Sequence, residues 1–223
     1  MRKRLPLFNL PNALTLSRFF FAPAMLLLVT RLRDPALDPG AWKISLAAFI
    51  LLIVTLLTDL FDGTLARARR EVTNFGKIMD PVADSTFFMT LLFGLSESPR
   101  FGGAISIWLP ILVLYREIAM HILRRYAALK GNAVPAKLSG KIKMFTQSLA
   151  TAAFLLLVLA RDWTYGMPGG AMASEGFLRG CATFAGVYTV AVNLLSLVEY
   201  SRDIPELIAE YAQTDAPDAD GKA

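Results

Sequence analysis

Long apolar runs broken by short charged clusters leave this chain few ways to fold. A helix crossing a bilayer needs about 20 mostly apolar residues, because backbone groups in hydrocarbon must be paired within their own segment. Six stretches meet or nearly meet that need: 15–33, 41–67, 80–98, 104–128, 140–161 and 177–200. The fold class expected is therefore all-α: a polytopic membrane protein with six transmembrane helices in a bundle. Turn-forming residues separate the runs, with Asp34, Pro35, Asp38, Pro39 and Gly40 after the first, Ser98 and Pro99 after the third, and glycines at 166–170 after the fifth. Residues 1–14 read as a short interfacial N-terminal segment, residues 15–202 as the six-helix domain, and residues 203–223 as a cytoplasmic, partly disordered tail.

Composition excludes several alternatives. Apolar residues make up 55% of the chain and charged residues 18%, too little polar surface to cover a water-facing globule of this size. A single cysteine, Cys181, and a single histidine, His121, rule out an intramolecular disulfide framework and any cysteine- or histidine-rich metal centre. Any metal must be held by oxygen. The net charge of +5 reads as lysine and arginine gathered at one membrane face, and no nucleic-acid partner is expected. Placing the N-terminus inside puts 15 of the 23 basic residues on that face and 6 on the other, while Arg18 and Arg116 fall within spans. Both termini are thus expected to be cytoplasmic. A cleaved signal peptide is the rival reading of the basic start and the run 19–29, but the segment continues through Arg31 and Arg33 without a small-x-small cleavage site.

Chemistry concentrates in residues 58–85, TDLFDGTLARARREVTNFGKIMDPVADS, where the second run ends and the third begins. On a helix Asp59, Asp62, Gly63, Ala66 and Arg67 fall at i, i+3, i+4, i+7 and i+8, one inward stripe. Gly76, Asp80 and Asp84 form a second stripe at i, i+4 and i+8, with Pro81 expected in the first turn of the third span. Two antiparallel helices can aim these four carboxylates at one point. In a partly dehydrated place they repel, so either some are protonated or cations neutralise them. Oxygen-only ligands suit Mg²⁺ or Mn²⁺, and four aspartates suffice for two ions at roughly 3.5–4 Å, an arrangement that clamps phosphates. Gly63, Ala66 and Gly76 would then let a nucleotide or pyrophosphate approach the backbone, and Arg67 could pair with phosphate oxygens. A plain membrane-edge charge cluster with Arg67, Arg69, Arg70 and Lys77 would account for two of the aspartates, not for four on two glycine-lined stripes.

Position for position, Asp59-x2-Asp62-Gly63-x2-Ala66-Arg67-x8-Gly76-x3-Asp80-x3-Asp84 resembles the signature of the CDP-alcohol phosphatidyltransferases. The resemblance implies a six-span catalytic domain in the bacterial cytoplasmic membrane that displaces CMP from a CDP-linked alcohol, usually CDP-diacylglycerol. It implies two Mg²⁺ ions, with Mn²⁺ as alternative, on Asp59, Asp62, Asp80 and Asp84, and Asp84 as the base. It places Asp59, Gly63, Ala66, Arg67, Thr73 and Gly76 at the CDP site, and it favours a homodimer with its active site on the cytoplasmic face. Ser85 departs from a lysine common in close relatives, beside the base and not on its stripe.

The acceptor is read from a second basic cluster. Arg116 and Glu117 lie within the fourth span, where an arginine is costly unless it faces a cavity, a partner or a ligand. With Lys137 and Lys141 it could hold an acceptor phosphate, whereas Lys130 and Lys143 are as well explained by positive-inside loop charge. Asn9-Leu-Pro-Asn-Ala-Leu-Thr-Leu-Ser-Arg18, Tyr115-Arg-Glu-Ile118 and Ser139-Gly-Lys-Ile-Lys143 with Gln147 resemble the branch of the family that uses sn-glycerol 3-phosphate; Met144 stands where a threonine is frequent. The alternatives are the cardiolipin-synthase branch, which would use phosphatidylglycerol, another CDP-alcohol phosphatidyltransferase, and, in a different class, an ion-binding transporter. His121 reads as a bundle or cavity histidine, Cys181 as packing, and Trp42 and Trp163 as an outer interfacial belt. The orientation is testable: cysteines placed at Lys3 and Lys222 are expected to label only from the cytoplasmic side and those at Pro39 and Gly169 only from the other, and reversed labelling refutes it.

Overall fold

The computed structural model describes residues 9–69, 71, 73–129, 138–165, 167 and 174–201, with side chains described throughout except at 74, 77, 123–129, 138–145 and 199–201. Within them are six helices and no strand: α1 (Leu10–Val29), α2 (Ala41–Ala68), α3 (Asn74–Ser96), α4 (Trp108–Leu129), α5 (Leu138–Thr164) and α6 (Glu175–Ser201). Each expected apolar run is a helix. Among the described residues α1, α2, α3 from Ile78 onward and α6 up to Val198 are long and apolar enough to cross a membrane. Several such helices in one short chain mark an integral membrane protein. α4 carries Arg116, Glu117 and His121 midway, and α5 opens near Lys141 and Lys143, so composition alone does not make them spans.

Caps explain where the helices start. α1 begins at Leu10 and not at 15, because the Asn9 side chain accepts from the Asn12 N–H at 3.0 Å and Pro11 sits in the first turn, where no donor is needed. Residues 1–8 and 202–223, with most of both expected terminal segments, lie outside the described residues. α3 begins at Asn74 and not at 80, because Thr73 accepts from the Gly76 N–H at 2.9 Å. This early start corrects the expectation for Pro81, which lies inside the helix and not in its first turn, at the cost of one backbone hydrogen bond. α2, with 28 residues, is about 42 Å long against a hydrocarbon layer of about 30 Å, so its last turns have the length to reach the membrane edge.

α1 is the central strut, packed along both α2 and α3, while α2 also meets α5, and α6 covers α4 and α5. The shared core joins Met25 and Val29 of α1, Ala48 and Leu52 of α2, Phe87 and Leu91 of α3, and Leu155 and Val158 of α5. At one end of the bundle Arg100, fully buried, binds Asp162 at 2.9 Å and Glu175 at 2.8 Å, and Asp162 also accepts from the Ser45 hydroxyl. Burial works against the Arg100 charge, but the hydrogen bonds it donates to Asp162 and Glu175 outweigh that and push its pKa up. Arg161 adds Asp34 at 3.4 Å and Glu175 at 3.1 Å, and Trp42 meets Trp163 edge to face at 4.9 Å. The network fastens α2, the α3–α4 connection, α5 and α6 at the end opposite Asp59 and Asp80.

α1 packs tightly on α3 at Gly94, where a Cβ would lie 2.2 Å from Val29 Cγ2 and 3.2 Å from Leu26 Cδ1. Val29 is buried and stiff at χ1, so it cannot yield. Gly94→Ala is expected to destabilise the fold by about 1–3 kcal/mol, read as a lower thermal unfolding midpoint in detergent. Adding Val29→Ala should recover part of the loss. A wild-type midpoint for Gly94→Ala would refute this packing.

Candidate active site

Helices α2 and α3 run antiparallel from a short connection, so the end of one and the start of the other share a level in the bundle. That places Asp59 and Asp62 against Asp80 and Asp84. Between them comes Arg18 of α1, its side chain fully buried. Its Nη1 lies 3.1 Å from Asp59 and also binds Asp84; its Nη2 lies 2.8 Å from Asp80 and also binds Asp62. Asp62 takes a further hydrogen bond from the Thr15 hydroxyl at 3.0 Å. Asp62 is nearly buried, whereas the Asp59 and Asp80 side chains are 46% and 41% exposed, so the cluster opens outward on these two. Oxygens of Asp59, Asp62 and Asp80 lie within 4.8 Å of one another, close enough to share one ion. One guanidinium balances one of four carboxylates, and the remaining negative charge, carried only by oxygen, fits a hard dication.

Two cavities meet the cluster from different sides. One, of about 310 Å³, is the more polar of the two and is lined by Asn12, Thr15, Asp62, Gly63, Ala66, Arg67, Glu71, Thr73, Gly76 and Asp80 among others. The other, of about 380 Å³, is mainly apolar and lies between α2, α3 and α5, with Leu56, Leu60, Phe87, Phe88 and Leu149 on its walls and Asp59 and Asp84 at its edge. The Arg67 guanidinium rests over Gly63, where a Cβ would stand 3.6 Å from Nη1. At Gly76 a Cβ would be 2.8 Å from Asn12 Oδ1 and 3.2 Å from Thr73 Oγ1, so this glycine lets α1 close against α3 as well as bordering the pocket.

A profile of the CDP-alcohol phosphatidyltransferases matches residues 8–194, most of the chain. The chain belongs to the CDP-alcohol phosphatidyltransferase family. A relative from Mycobacterium tuberculosis named probable phosphatidylglycerophosphate synthase is 36% identical over 151 residues, 66% of this chain and 66% of that protein's length. A Bacillus subtilis relative named CDP-diacylglycerol--glycerol-3-phosphate 3-phosphatidyltransferase is 36% identical over 154 residues, 67% of this chain and 78% of the relative. A Treponema pallidum protein of the same name is 29% identical over 166 residues, 74% of this chain and 73% of the relative.

In this CDP-alcohol phosphatidyltransferase the four aspartates expected at the metal site do converge, and Gly63, Ala66, Arg67, Thr73 and Gly76 border one pocket. Asp59 borders the apolar groove instead of that pocket, because it lies nearly a turn before Asp62 and turns toward α5. Arg116 is buried on α4 and holds Glu117 at 2.7 Å and Ser196 at 2.6 Å, toward α6; it lines neither cavity. Lys137 lies outside the described residues and so does the Lys141 side chain. Ser85 faces α4, with its hydroxyl 3.3 Å from Glu117 and 3.2 Å from His121 Nε2. Spacing alone did not assign Arg18, Asn12 or Thr15 to the site. Their signal was a polar residue at every third position from Asn9 to Arg18, opening an otherwise apolar run. An arginine inside a span needs partners wherever it falls, and Arg18 meets that condition as fully as Arg116 does.

Thr73 ties the pocket together: besides capping α3 it donates to Asn12 Oδ1 at 3.0 Å. Thr73→Val removes both bonds and is expected to cost about 0.5–2 kcal/mol, while Thr73→Ser keeps them. Thermal unfolding of the two variants in detergent checks this, and equal midpoints would count against the cap.

Proposed function

We propose that this chain transfers the phosphatidyl group of CDP-diacylglycerol to sn-glycerol 3-phosphate, releasing CMP and forming phosphatidylglycerophosphate. One observation carries the reading: the aspartates lie between the more polar pocket, bordered by Asp62 and Asp80, and the mainly apolar groove, bordered by Asp59 and Asp84. A substrate with a nucleotide head, a diphosphate and two acyl chains has that division, and its diphosphate would lie at the carboxylates. The names of the Mycobacterium and Bacillus relatives support glycerol 3-phosphate as acceptor over phosphatidylglycerol, and the family match disfavours an ion-binding transporter.

In this reading Asp59, Asp62, Asp80 and Asp84 would hold two Mg²⁺ ions, or Mn²⁺, which when bound supply positive charge to the diphosphate. Gly63, Ala66, Arg67, Thr73 and Gly76 receive the CDP moiety, Arg67 pairing with phosphate oxygens, and Asp59 borders it from the groove side. Asp84 takes the proton of the acceptor 1-hydroxyl as its oxygen attacks the β-phosphorus, the one attached to the lipid; the bond from that phosphorus to the bridging oxygen breaks and CMP leaves. Arg116, Lys137 and Lys141 are proposed to hold the acceptor phosphate; because Arg116 lines neither cavity, this role requires its side chain to leave Glu117 and Ser196 when the acceptor binds. All six helices span the bacterial cytoplasmic membrane with termini and site on the inner face. Arg100 and Arg161, counted on the outer side, are occupied in ion pairs there. The homodimer rests on the family resemblance alone.

Purified protein given Mg²⁺, CDP-diacylglycerol and one acceptor at a time should release CMP with glycerol 3-phosphate. Asp59→Asn, Asp62→Asn and Asp80→Asn should each lose most turnover. Asp84→Asn should lower kcat by about 100- to 10,000-fold, and Arg116→Ala and Lys141→Ala should chiefly raise KM for glycerol 3-phosphate. Faster release with phosphatidylglycerol would overturn the acceptor, and no release with any alcohol would overturn the reaction.

A further inference from the structure

We infer that Arg18 is a built-in counter-cation of the carboxylate cluster, a positioning residue that holds the four aspartates together until divalent cations take its place against them. The inference rests on the metal-binding reading above and concerns a residue that reading leaves without a task. Two terminal nitrogens of one guanidinium serve carboxylates from two helices: Nη1 takes Asp59 and Asp84, Nη2 takes Asp62 and Asp80. The side chain has no exposure, so water cannot satisfy it, and its Nε has no hydrogen-bond partner among the described residues. An arginine buried this way within an apolar helix is costly unless anions meet it, and four clustered carboxylates are costly unless a cation meets them. Each therefore supports the other when no metal is bound.

The same geometry sets up competition. Three of the carboxylates that Arg18 holds are those whose oxygens lie within 4.8 Å of one another. An oxygen turned to a guanidinium N–H is not free for a dication, and a dication beside the guanidinium meets like charge. Removing Arg18 should thus weaken the metal-free protein and tighten metal binding. An arginine that only fills space would lower stability without tightening anything.

The test uses the full chain in detergent, with Mn²⁺ binding followed by the resonance of free Mn²⁺ and thermal unfolding read in EDTA and in saturating Mn²⁺. For Arg18→Gln the midpoint in EDTA should fall by several degrees, the Mn²⁺ dissociation constant should drop about ten-fold, and Mn²⁺ should raise the midpoint more than in wild type. Arg18→Lys, which keeps the charge with fewer donors, should fall between, and it carries the test if Arg18→Gln does not fold. Mn²⁺ affinity unchanged or weakened in the variants overturns the inference and leaves the metal site standing. No Mn²⁺ binding by wild type or either variant defeats the metal reading and this inference together.

Discussion

Four carboxylates held within bonding distance of one buried guanidinium are the interaction on which the rest of this structure depends. Their mutual repulsion grows as water is withdrawn, so a bundle that brings them together must supply positive charge or come apart. Arg18 supplies one charge from α1, which explains why α1 packs against both α2 and α3. The polar residues at its start follow from the same need: Thr15 bonds Asp62, Asn12 meets Thr73, and Asn9 donates to the Glu71 carbonyl at 3.1 Å. A helix that looks like a simple membrane anchor is thus one wall of the site.

The two ends of the bundle solve the buried-charge problem in opposite ways. Around Arg100 the acids and bases are more nearly matched: Asp34, Asp162 and Glu175 face Arg100 and Arg161, with the Ser45 hydroxyl and the Arg33 carbonyl filling in. Such a network can fasten helices and has little remaining attraction for a ligand. Around Arg18 acids outnumber bases, two of the carboxylates are partly open, and cavities lie on both sides. Unbalanced charge next to accessible space is what recruits a cation or a phosphate-bearing substrate. Nearly balanced and unbalanced charge are therefore separated along the bundle.

Much of this was legible in the chain. The six apolar runs appear as six helices, and two stripes of aspartate and glycine converge as helical spacing requires. Helix starts were missed where a polar cap, Asn9 or Thr73, extends a helix beyond its apolar run, since hydropathy does not register a capping side chain. Helical spacing leaves Arg18 without a role because its partners are far away in sequence, at separations of 41 to 66 residues. Spacing within one helix cannot reveal that. Gly76 illustrates a subtler limit: a bare glycine on a stripe reads as room for ligand, but part of that room is taken by Asn12 from another helix.

The division of the aspartates between pocket and groove bears on why a site of this kind would suit a membrane edge. A lipid whose reacting phosphorus lies between a soluble head and acyl chains cannot be drawn wholly into water or kept wholly in hydrocarbon without a large transfer cost. A site shared by one polar and one apolar cavity lets each part of the molecule keep the environment it already had, and only the diphosphate changes surroundings. The carboxylates nearest that diphosphate would repel it, so binding is favourable only when enough positive charge is present. Arg18 alone is too little, so under the proposed reaction an anionic substrate would bind in step with cations rather than ahead of them. That ordering follows from charge balance at one point in the fold.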